Sequence, residues 1–177
     1  AHRALPPAFT GTPTHMRCVA IALGTLHDHA WVHHIERLMV LGNLSLLAGV
    51  EPSALVDWMW AGFVDGAEWV MLPNVIGMGV FADGGKMATK PYAAGGAYIN
   101  KMSDYCKGCR YDRRQRTGAR ACPFNALYWN FFERNAAVLG NNPRLGMVYR
   151  QLEKFSTADR AALREQADSL RRRLPAL

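Results

Sequence analysis

The stretch "HMRCVAIALGTLHDHAWVHHIERLMVLGNLSLLA", residues 15–48, carries apolar residues at helical spacing over most of its length. Gly49 and Pro52 follow it and end the pattern. The apolar stripe of its second half consists of Ile35, Leu38, Met39, Leu46 and Leu47. The stretch therefore predicts one or two helices, with a break near Gly24 or His29.

Further helical patterns follow along the chain, and alternating strand patterns are scarce. Residues 54–66 predict a helix that has Ser53 as its N-cap and is buried on nearly all sides. Helices are also predicted in 95–106 and 125–140, and an amphipathic helix that opens at Ser156 or Thr157 ends the chain. Residues 69–97 are rich in Gly and Pro and predict a long loop, which usually shapes a site. The predicted fold class is all-α.

The composition excludes several classes of protein. With 177 residues, half of them hydrophobic, the chain is long enough for one buried core and is not of the disordered type. No apolar run of about 18 residues and no secretory signal are found, so we expect a cytoplasmic protein. The net charge of +7 favours a polyanionic partner such as nucleic acid. The proline-rich opening after Ala1 suggests a piece that begins in a linker of a larger protein.

Four cysteines suit a metal site, because four thiolates complete a common ligand set. Cys106 and Cys109 form a CxxC motif, Cys122 follows after twelve residues, and Cys18 lies far upstream. A disulfide is disfavoured in the cytosol. Zinc and an iron–sulfur cluster both remain open on spacing, and the proline after Cys122 is also found in cluster motifs. The alternative for Cys18 is a small buried side chain in a helix.

Two adjacent histidines precede an arginine on the second predicted helix. His33 is four residues before Arg37, and His34 is three residues before it, so an imidazole and the guanidinium can share one face. A structural histidine beside a paired arginine is the simple interpretation. The functional one is a general acid in a pocket that suits an anionic ligand. The tryptophans near residue 60 are interpreted as core, or as stepping stones for electrons if a redox group is present.

Three segments carry a resemblance: "HHIERLMVLGN" (33–43), "DWMWAGFVDGAEWVMLPNVIGMGVFADGGKMATKPYAAGGAYINKMSDYCKGCRYD" (57–112) and "ACPFNALYWNFFERN" (121–135). They closely resemble the C-terminal catalytic domain of the iron–sulfur bacterial cryptochromes and photolyases, also called prokaryotic (6-4) photolyases. The resemblance runs from about residue 2 to about residue 155. It implies the helical FAD-binding domain of the cryptochrome/photolyase fold. The implied activity is light-driven repair of (6-4) photoproducts by an electron from reduced FAD, which makes the protein a carbon–carbon lyase.

The resemblance also implies roles for single residues. It implies a [4Fe-4S] cluster on Cys18, Cys106, Cys109 and Cys122, and so favours iron over zinc. His34 matches the proton donor beside the lesion, and His33 is its neighbour. Trp58 matches the tryptophan next to FAD that starts flavin photoreduction, and the next relay position, commonly Tyr, is Met59 here. Arg37 and Asp65 match an ion pair near the flavin. Asn74, Gly77 and Met78 match residues of the flavin pocket, and Tyr92 and Tyr98 match tyrosines near the lesion and the flavin.

The partner that the resemblance implies is UV-damaged DNA, bound by a monomer in the nucleoid without any membrane partner. A rim of basic side chains is expected to hold the DNA backbone. Its candidate residues are Lys101, Lys107, Arg110, Arg113, Arg114 and Arg116. An antenna chromophore is expected in an N-terminal domain that precedes this chain, and the chain by itself is expected to be inactive.

The expected organisation is a linker (1–14), the FAD-binding and iron–sulfur domain (15–155) and a terminal amphipathic helix (156–177). Two other functions stay open. One is a cryptochrome-like blue-light photoreceptor that does not repair DNA. The other is a zinc-stapled nucleic-acid-binding module.

Overall fold

A computed structural model describes residues 1–173 of the chain. The described residues form helices and no strand, apart from two isolated bridges, which confirms the predicted helical class. The chain divides into two compact units, which we call unit 1 (Ala1–Ala93) and unit 2 (Ala94–Arg173). In the part of the chain that the structure describes, no helix has the length and apolarity that crossing a membrane requires.

Unit 1 begins with a 3₁₀ turn, Pro7–Thr10, and helix α1, Arg17–His29. Helix α1 ends where Ala30 adopts the left-handed conformation with φ of +52° and donates its N–H to the Leu26 carbonyl. The break predicted near His29 is therefore confirmed, and Gly24 lies inside the helix. After Val32 the chain is helical again. Helix α2 (His34–Glu36) continues into a π-helical segment, π1 (Arg37–Gly42), and then into helix α3 (Asn43–Ala48).

Helix α4, Pro52–Gly62, differs from its prediction in two ways. Its N-cap is Glu51 and not Ser53, because Pro52 occupies the first helical position, where its missing N–H costs no hydrogen bond. The expected burial on nearly all sides is also wrong, since Trp60 is 48% exposed. The buried side of α4 carries Leu55, Val56 and Met59.

The loop predicted for residues 69–97 is helical in its first part, so this prediction was wrong there. Helix α5, Glu68–Met71, continues into a second π-helical segment, Leu72–Gly79 (π2). Pro73 does not stop this helix; it lies one residue after the point where the α-helical turn of α5 passes into the wider turns of π2. Residues 80–95 are irregular up to helix α6, Gly96–Met102.

Helix α6 in unit 2 ends four residues before Cys106, earlier than predicted. The Ser103 hydroxyl donates to the Ile99 carbonyl over 2.8 Å, and the Ser103 backbone is extended, which stops the helix. Helix α7 has Cys122 as its N-cap and Pro123 as its first residue. Helix α7 spans Pro123–Arg134, and the short helix α8 spans Ala136–Leu139. A 3₁₀ turn, Pro143–Leu145, leads into helix α9, Gly146–Glu153, which was not predicted.

The C-terminal helix α10, Thr157–Arg172, opens as predicted. Ser156 caps it through a hydrogen bond from the Asp159 N–H, and the Asp159 carboxylate accepts from the Ser156 N–H in return. Helices α7 and α10 pack on each other and form the core of unit 2. The last part of the predicted segment 156–177, residues 174–177, lies outside the described residues. The predicted boundaries at 14 and 155 remain predictions.

Candidate functional site

Unit 1 contains a cavity of about 220 Å³ between its helical segments. Both π-helical segments contribute to its wall, and π-helical turns are often found at functional sites. The lining residues are Trp31, Val32, His34, Arg37, Leu38, Gly42, Leu55, Met59, Asp65, Val70, Met71, Asn74, Val75 and Gly79. Apolar side chains with a few polar groups are the usual composition of a small-molecule site.

A close approach of π1 and π2 forms part of this wall. A Cβ atom added to Gly42 would lie 3.8 Å from the Gly79 Cα and 3.2 Å from the Arg37 carbonyl oxygen. Both glycines line the cavity, so the two segments meet there through backbone atoms.

Arg37 is the main charged group of the cavity wall. Its Nη2 atom lies 3.0 Å from Asp65 Oδ2, and its guanidinium carbon lies 4.1 Å above the centre of the Phe63 ring. The Arg37 side chain is 15% exposed and the Asp65 side chain 48%. The sequence prediction paired these two residues, and the structure brings them together across 28 positions of the chain.

The Nε atom of Arg37 is buried and has no hydrogen-bond partner among the described residues. An unsatisfied buried donor costs about 1–3 kcal/mol, more when the group is charged. Because Arg37 lines the cavity, an acceptor atom of a bound ligand is the simplest group that could satisfy this donor.

The two histidines have different environments. His33 is the N-cap of α2, where its Nδ1 atom accepts from the Ile35 N–H over 3.2 Å and its own N–H donates to Glu36. His34 is exposed and lines the cavity. Within residues 1–173, no hydrogen bond holds the His34 ring. His34 is therefore open to a ligand, whereas one ring nitrogen of His33 is already used in capping.

Trp58 lies outside the cavity lining. Its indole N–H donates to the Phe9 carbonyl over 2.8 Å, and its ring packs against Phe9 at 4.6 Å and edge-on against Phe63 at 6.1 Å. Since Phe63 also lies under the Arg37 guanidinium, Trp58 is connected to the cavity wall through one aromatic ring. Met59, the next residue, lines the cavity itself.

Of the other predicted pocket residues, one lines the cavity and two lie outside its lining. Asn74 lines the cavity, and its side-chain amide donates to the Val70 carbonyl over 2.7 Å. Gly77 supports the following loop, because a Cβ there would lie 2.6 Å from Met87 Cγ. Met78 is half-buried and lies outside the lining.

The two predicted tyrosines belong to different units. Tyr92 lies in unit 1 and is 39% exposed, and Tyr98 lies in helix α6 of unit 2 and is half-buried. Neither contributes to the cavity of unit 1. Their roles near lesion and flavin remain predictions.

The CxxC motif in unit 2 forms a tight turn. The Cys109 N–H donates to the Cys106 carbonyl over 3.4 Å, and Gly108 adopts a φ of +71°, which favours glycine. Cys106 and Cys109 line a polar cavity of about 420 Å³ together with Tyr111, Asp112, Arg113, Arg114, Gln115 and Arg120. Burial, and then the neighbouring Cys109, raise the pKa of the Cys106 thiol, whereas the charge of Arg113 lowers it.

Cys122 is the N-cap of α7, and the backbone N–H groups of Phe124 and Asn125 act on its thiol. Burial raises the pKa of the Cys122 thiol to about 12; the Phe124 N–H opposes the rise, and the thiols of Cys106 and Cys109 add to it. A metal reverses this effect, because thiolate is the form that binds and a helix N-terminus favours negative charge. A Cβ on Gly96 would lie 2.9 Å from the Cys122 sulfur, so no larger residue fits there without movement.

Asn125 fixes the loop between the cysteines, a role that no pattern in the sequence predicted. It is 9% exposed, and its side-chain amide donates to the carbonyls of Arg113 and Gln115 over 2.9 and 2.6 Å. Its side-chain oxygen accepts from the Gly96 N–H over 2.9 Å. Three hydrogen bonds of one buried side chain therefore join this loop, α6 and α7.

Cys18, the fourth predicted ligand, is buried in α1 of unit 1, and its role remains a prediction from the resemblance. Nowhere in residues 1–173 do three or more His, Cys, Asp or Glu side chains lie close enough to hold one metal ion, and no disulfide is formed there. A zinc ion with Zn–S bonds of 2.3 Å brings its sulfurs to within about 3.8 Å of one another. In a four-iron cluster each cysteine binds a different iron, so its sulfurs lie farther apart.

Several lining residues had no signal in the sequence. They are Trp31, Val32, Leu38, Gly42, Leu55, Val70, Met71, Val75 and Gly79. Most are apolar residues at core positions, and only the folded backbone distinguishes a residue that faces a cavity from one that faces the core.

The chain is similar to known proteins of two organisms. A (6-4) photolyase of Agrobacterium fabrum is 49% identical over 172 residues, which are 97% of this chain and 34% of that protein. An uncharacterized protein of Acanthamoeba polyphaga mimivirus is 32% identical over 97 residues, which are 55% of this chain and 72% of that protein. No protein-family model matches. The chain spans about a third of the Agrobacterium relative, and over that third it belongs to the prokaryotic (6-4) photolyase family.

Proposed function

We propose that this chain is part of a DNA photolyase of the (6-4) type, which uses blue light and reduced FAD to repair (6-4) pyrimidine photoproducts. The observation that carries the proposal is the cavity of unit 1. It combines Arg37, which an ion pair holds and whose buried Nε has no partner among residues 1–173, with His34, whose ring is open to a ligand. The similarity to a (6-4) photolyase over nearly the whole chain supports the same reading.

The residues of the cavity fit part of an FAD molecule. Arg37 would donate from Nε to an acceptor of the flavin, and Asp65 keeps the guanidinium in place. Asn74 and the apolar wall would hold and shield the ring. At about 220 Å³ the cavity is smaller than the 300–1,000 Å³ of common ligand pockets, as expected if other parts of the protein also contact the cofactor. When bound and reduced, FAD supplies the electron that light drives into the lesion.

In this proposal His34 is the catalytic residue that gives a proton to the lesion. It lines the cavity, and its ring is not held by other described residues, so one of its nitrogens can reach a substrate. His33 positions the start of α2, and with it the direction in which His34 points. Imidazole suits this role because its ordinary pKa lies near neutral pH.

Trp58 would pass an electron towards the cavity when the flavin is photoreduced. Its ring contacts Phe63, which lies under Arg37, and so it has a short connection to the cavity wall. The relay beyond Trp58 would have to avoid Met59, which is not oxidised in the way that a tyrosine is.

We also propose that Cys106, Cys109 and Cys122 bind a [4Fe-4S] cluster, with Cys18 as the fourth ligand suggested by the resemblance. The supporting observations are the open cavity beside the CxxC turn and the place of Cys122 at a helix N-terminus.

The exposed cations of unit 2 would hold the DNA backbone. Lys101, Lys107, Arg110, Arg114 and Arg116 are all exposed. Replacing Lys107 and Arg110 by Ala should reduce the slope of log K against log salt by about two, if each contacts one phosphate. DNA binding by the holoprotein at several salt concentrations measures this slope, and an unchanged slope would remove both residues from the interface.

The test of the catalytic assignment is light-driven repair of an oligonucleotide with one (6-4) photoproduct. We expect His34→Ala to lower the repair rate of the FAD-loaded holoprotein at least a hundredfold, since general acids commonly contribute about 10²–10⁴-fold. His33→Asn is the matched control, because Asn also caps helices, and it should keep most of the activity. Repair by His34→Ala at the wild-type rate would contradict the role of His34.

A further inference from the structure

The arginines between the cysteines are not equivalent, and Arg113 differs from its neighbours. Arg114 and Arg116 are exposed, and the guanidinium of Arg116 lies 4.5 Å above the Phe155 ring. Arg113 is half-buried and lines the polar cavity together with Cys106. Arg113 therefore shares a cavity wall with Cys106 and Cys109, and its charge lowers the pKa of the Cys106 thiol.

The position of Arg113 is fixed by its backbone and by its first side-chain carbon. Its carbonyl accepts from the buried amide of Asn125 over 2.9 Å. A Cβ atom added to Gly96 would lie 3.2 Å from the Arg113 Cβ and 2.9 Å from the Cys122 sulfur. Arg113 and Cys122 therefore pack on the same glycine.

The charge of Arg113 is not neutralised by a close carboxylate. Among residues 1–173 the ion pairs include none with Arg113. Asp112 lines the same cavity, but its carboxylate is not within the 4.0 Å of an ion pair with Arg113; it accepts instead from the Arg114 N–H and the Gln115 side chain over 2.8 and 3.3 Å. Arg114 and Arg120 are the other cations of the wall, and both are exposed, so water screens them more.

We infer that Arg113 is a positioning and tuning residue of the cysteine site, which raises the reduction potential of the iron–sulfur cluster proposed there. Reduction adds one negative charge to a cluster that four thiolates already make negative. A permanent cation beside the thiols stabilises the reduced form more than the oxidised form. The guanidinium suits this role because it stays charged at all physiological pH values.

This inference rests on the proposed cluster, and its test is a redox titration of the purified holoprotein followed by visible absorbance. We expect Arg113→Gln to lower the reduced-to-oxidised ratio of the cluster at a fixed potential about tenfold, which is a shift of about 59 mV for one electron. Arg113→Lys should restore most of the wild-type potential. Arg116→Gln is the matched control, since it removes the same charge from the same loop, and it should shift the potential much less.

Iron and acid-labile sulfide per chain distinguish the possible failures. Wild-type protein without iron would overturn both the cluster proposal and this inference. Equal potentials of wild type and Arg113→Gln, with iron retained, would overturn the inference alone. Loss of iron from Arg113→Gln but not from Arg113→Lys would support the role of the charge, whereas loss from both would assign Arg113 a purely steric role and contradict it.

Discussion

Asn125 is the side chain whose removal should most clearly separate this structure from a loosely ordered cysteine loop. The change Asn125→Ala removes three hydrogen bonds, which reach the carbonyls of Arg113 and Gln115 and the N–H of Gly96. A net contribution of about 1 kcal/mol for each bond gives a loss of about 3 kcal/mol in the free energy of unfolding. Because Asn125 is buried, the three backbone groups would lose their partner away from water, so we expect a loss no smaller than this.

The assay is equilibrium unfolding in urea, with the iron content of each variant measured before unfolding. Asn135→Ala is the matched control, because Asn135 lies at the end of the same helix and its amide makes one bond, to the Phe131 carbonyl over 2.7 Å. We expect a loss of about 1 kcal/mol for the control and an unchanged iron content. Equal losses for both variants, with equal iron content, would refute the reasoning that Asn125 orders the cysteine loop.

Two further predictions concern the ends of helices. Gly96→Ala should release iron or lower the free energy of unfolding by about 1–3 kcal/mol, because the added carbon would lie 2.9 Å from the Cys122 sulfur. Gly146→Ala is the control, since Gly146 has open space at the first turn of α9, and it should do neither. Equal iron content and equal melting temperature of the two variants would contradict this prediction. Ser156→Ala should raise the pKa of Asp159, which the hydrogen bond from the Ser156 side chain lowers. Since a lowered carboxyl pKa stabilises the fold only above the ordinary pKa of about 4, the stability advantage of wild type over Ser156→Ala should shrink as the pH falls below that value, as melting curves at several pH values can check.

Two local motifs, the cap of α10 and the CxxC turn, were predicted well from the sequence. The cap at Ser156 depends on residues three positions apart, and the turn of the CxxC motif depends on the glycine between the cysteines. Interactions over such short distances are encoded in neighbouring residues. The N-cap of α4 was misplaced by two residues, because both a serine and a proline can open a helix and only the fold distinguishes them.

Longer-range features could be predicted only from the resemblance or not at all. The resemblance paired Arg37 with Asp65 and placed His34 beside the lesion, but it did not predict that His33 caps helix α2. Adjacent positions at a helix start differ by about 100° in direction, so one ring caps the helix and the other faces the cavity. The buried amide of Asn125 was missed because its partners lie 10 to 29 residues away.

The loop predicted for residues 69–97 shows why composition alone can mislead. Glycine and proline are typical of loops, but Pro73 lies in the first turn of π2, and Gly79 lies where π2 approaches Gly42. The same residues that weaken a helical pattern are those that let two helical segments meet at the cavity.

The most direct test of the central claim is repair itself. The purified holoprotein, loaded with reduced FAD, is mixed with an oligonucleotide that carries one (6-4) photoproduct, and the restored pyrimidines are counted after blue light and after darkness. The proposal predicts restoration of the lesion under light and none in the dark. A protein that binds FAD and absorbs blue light but leaves the lesion intact would contradict the proposed repair activity and favour a photoreceptor.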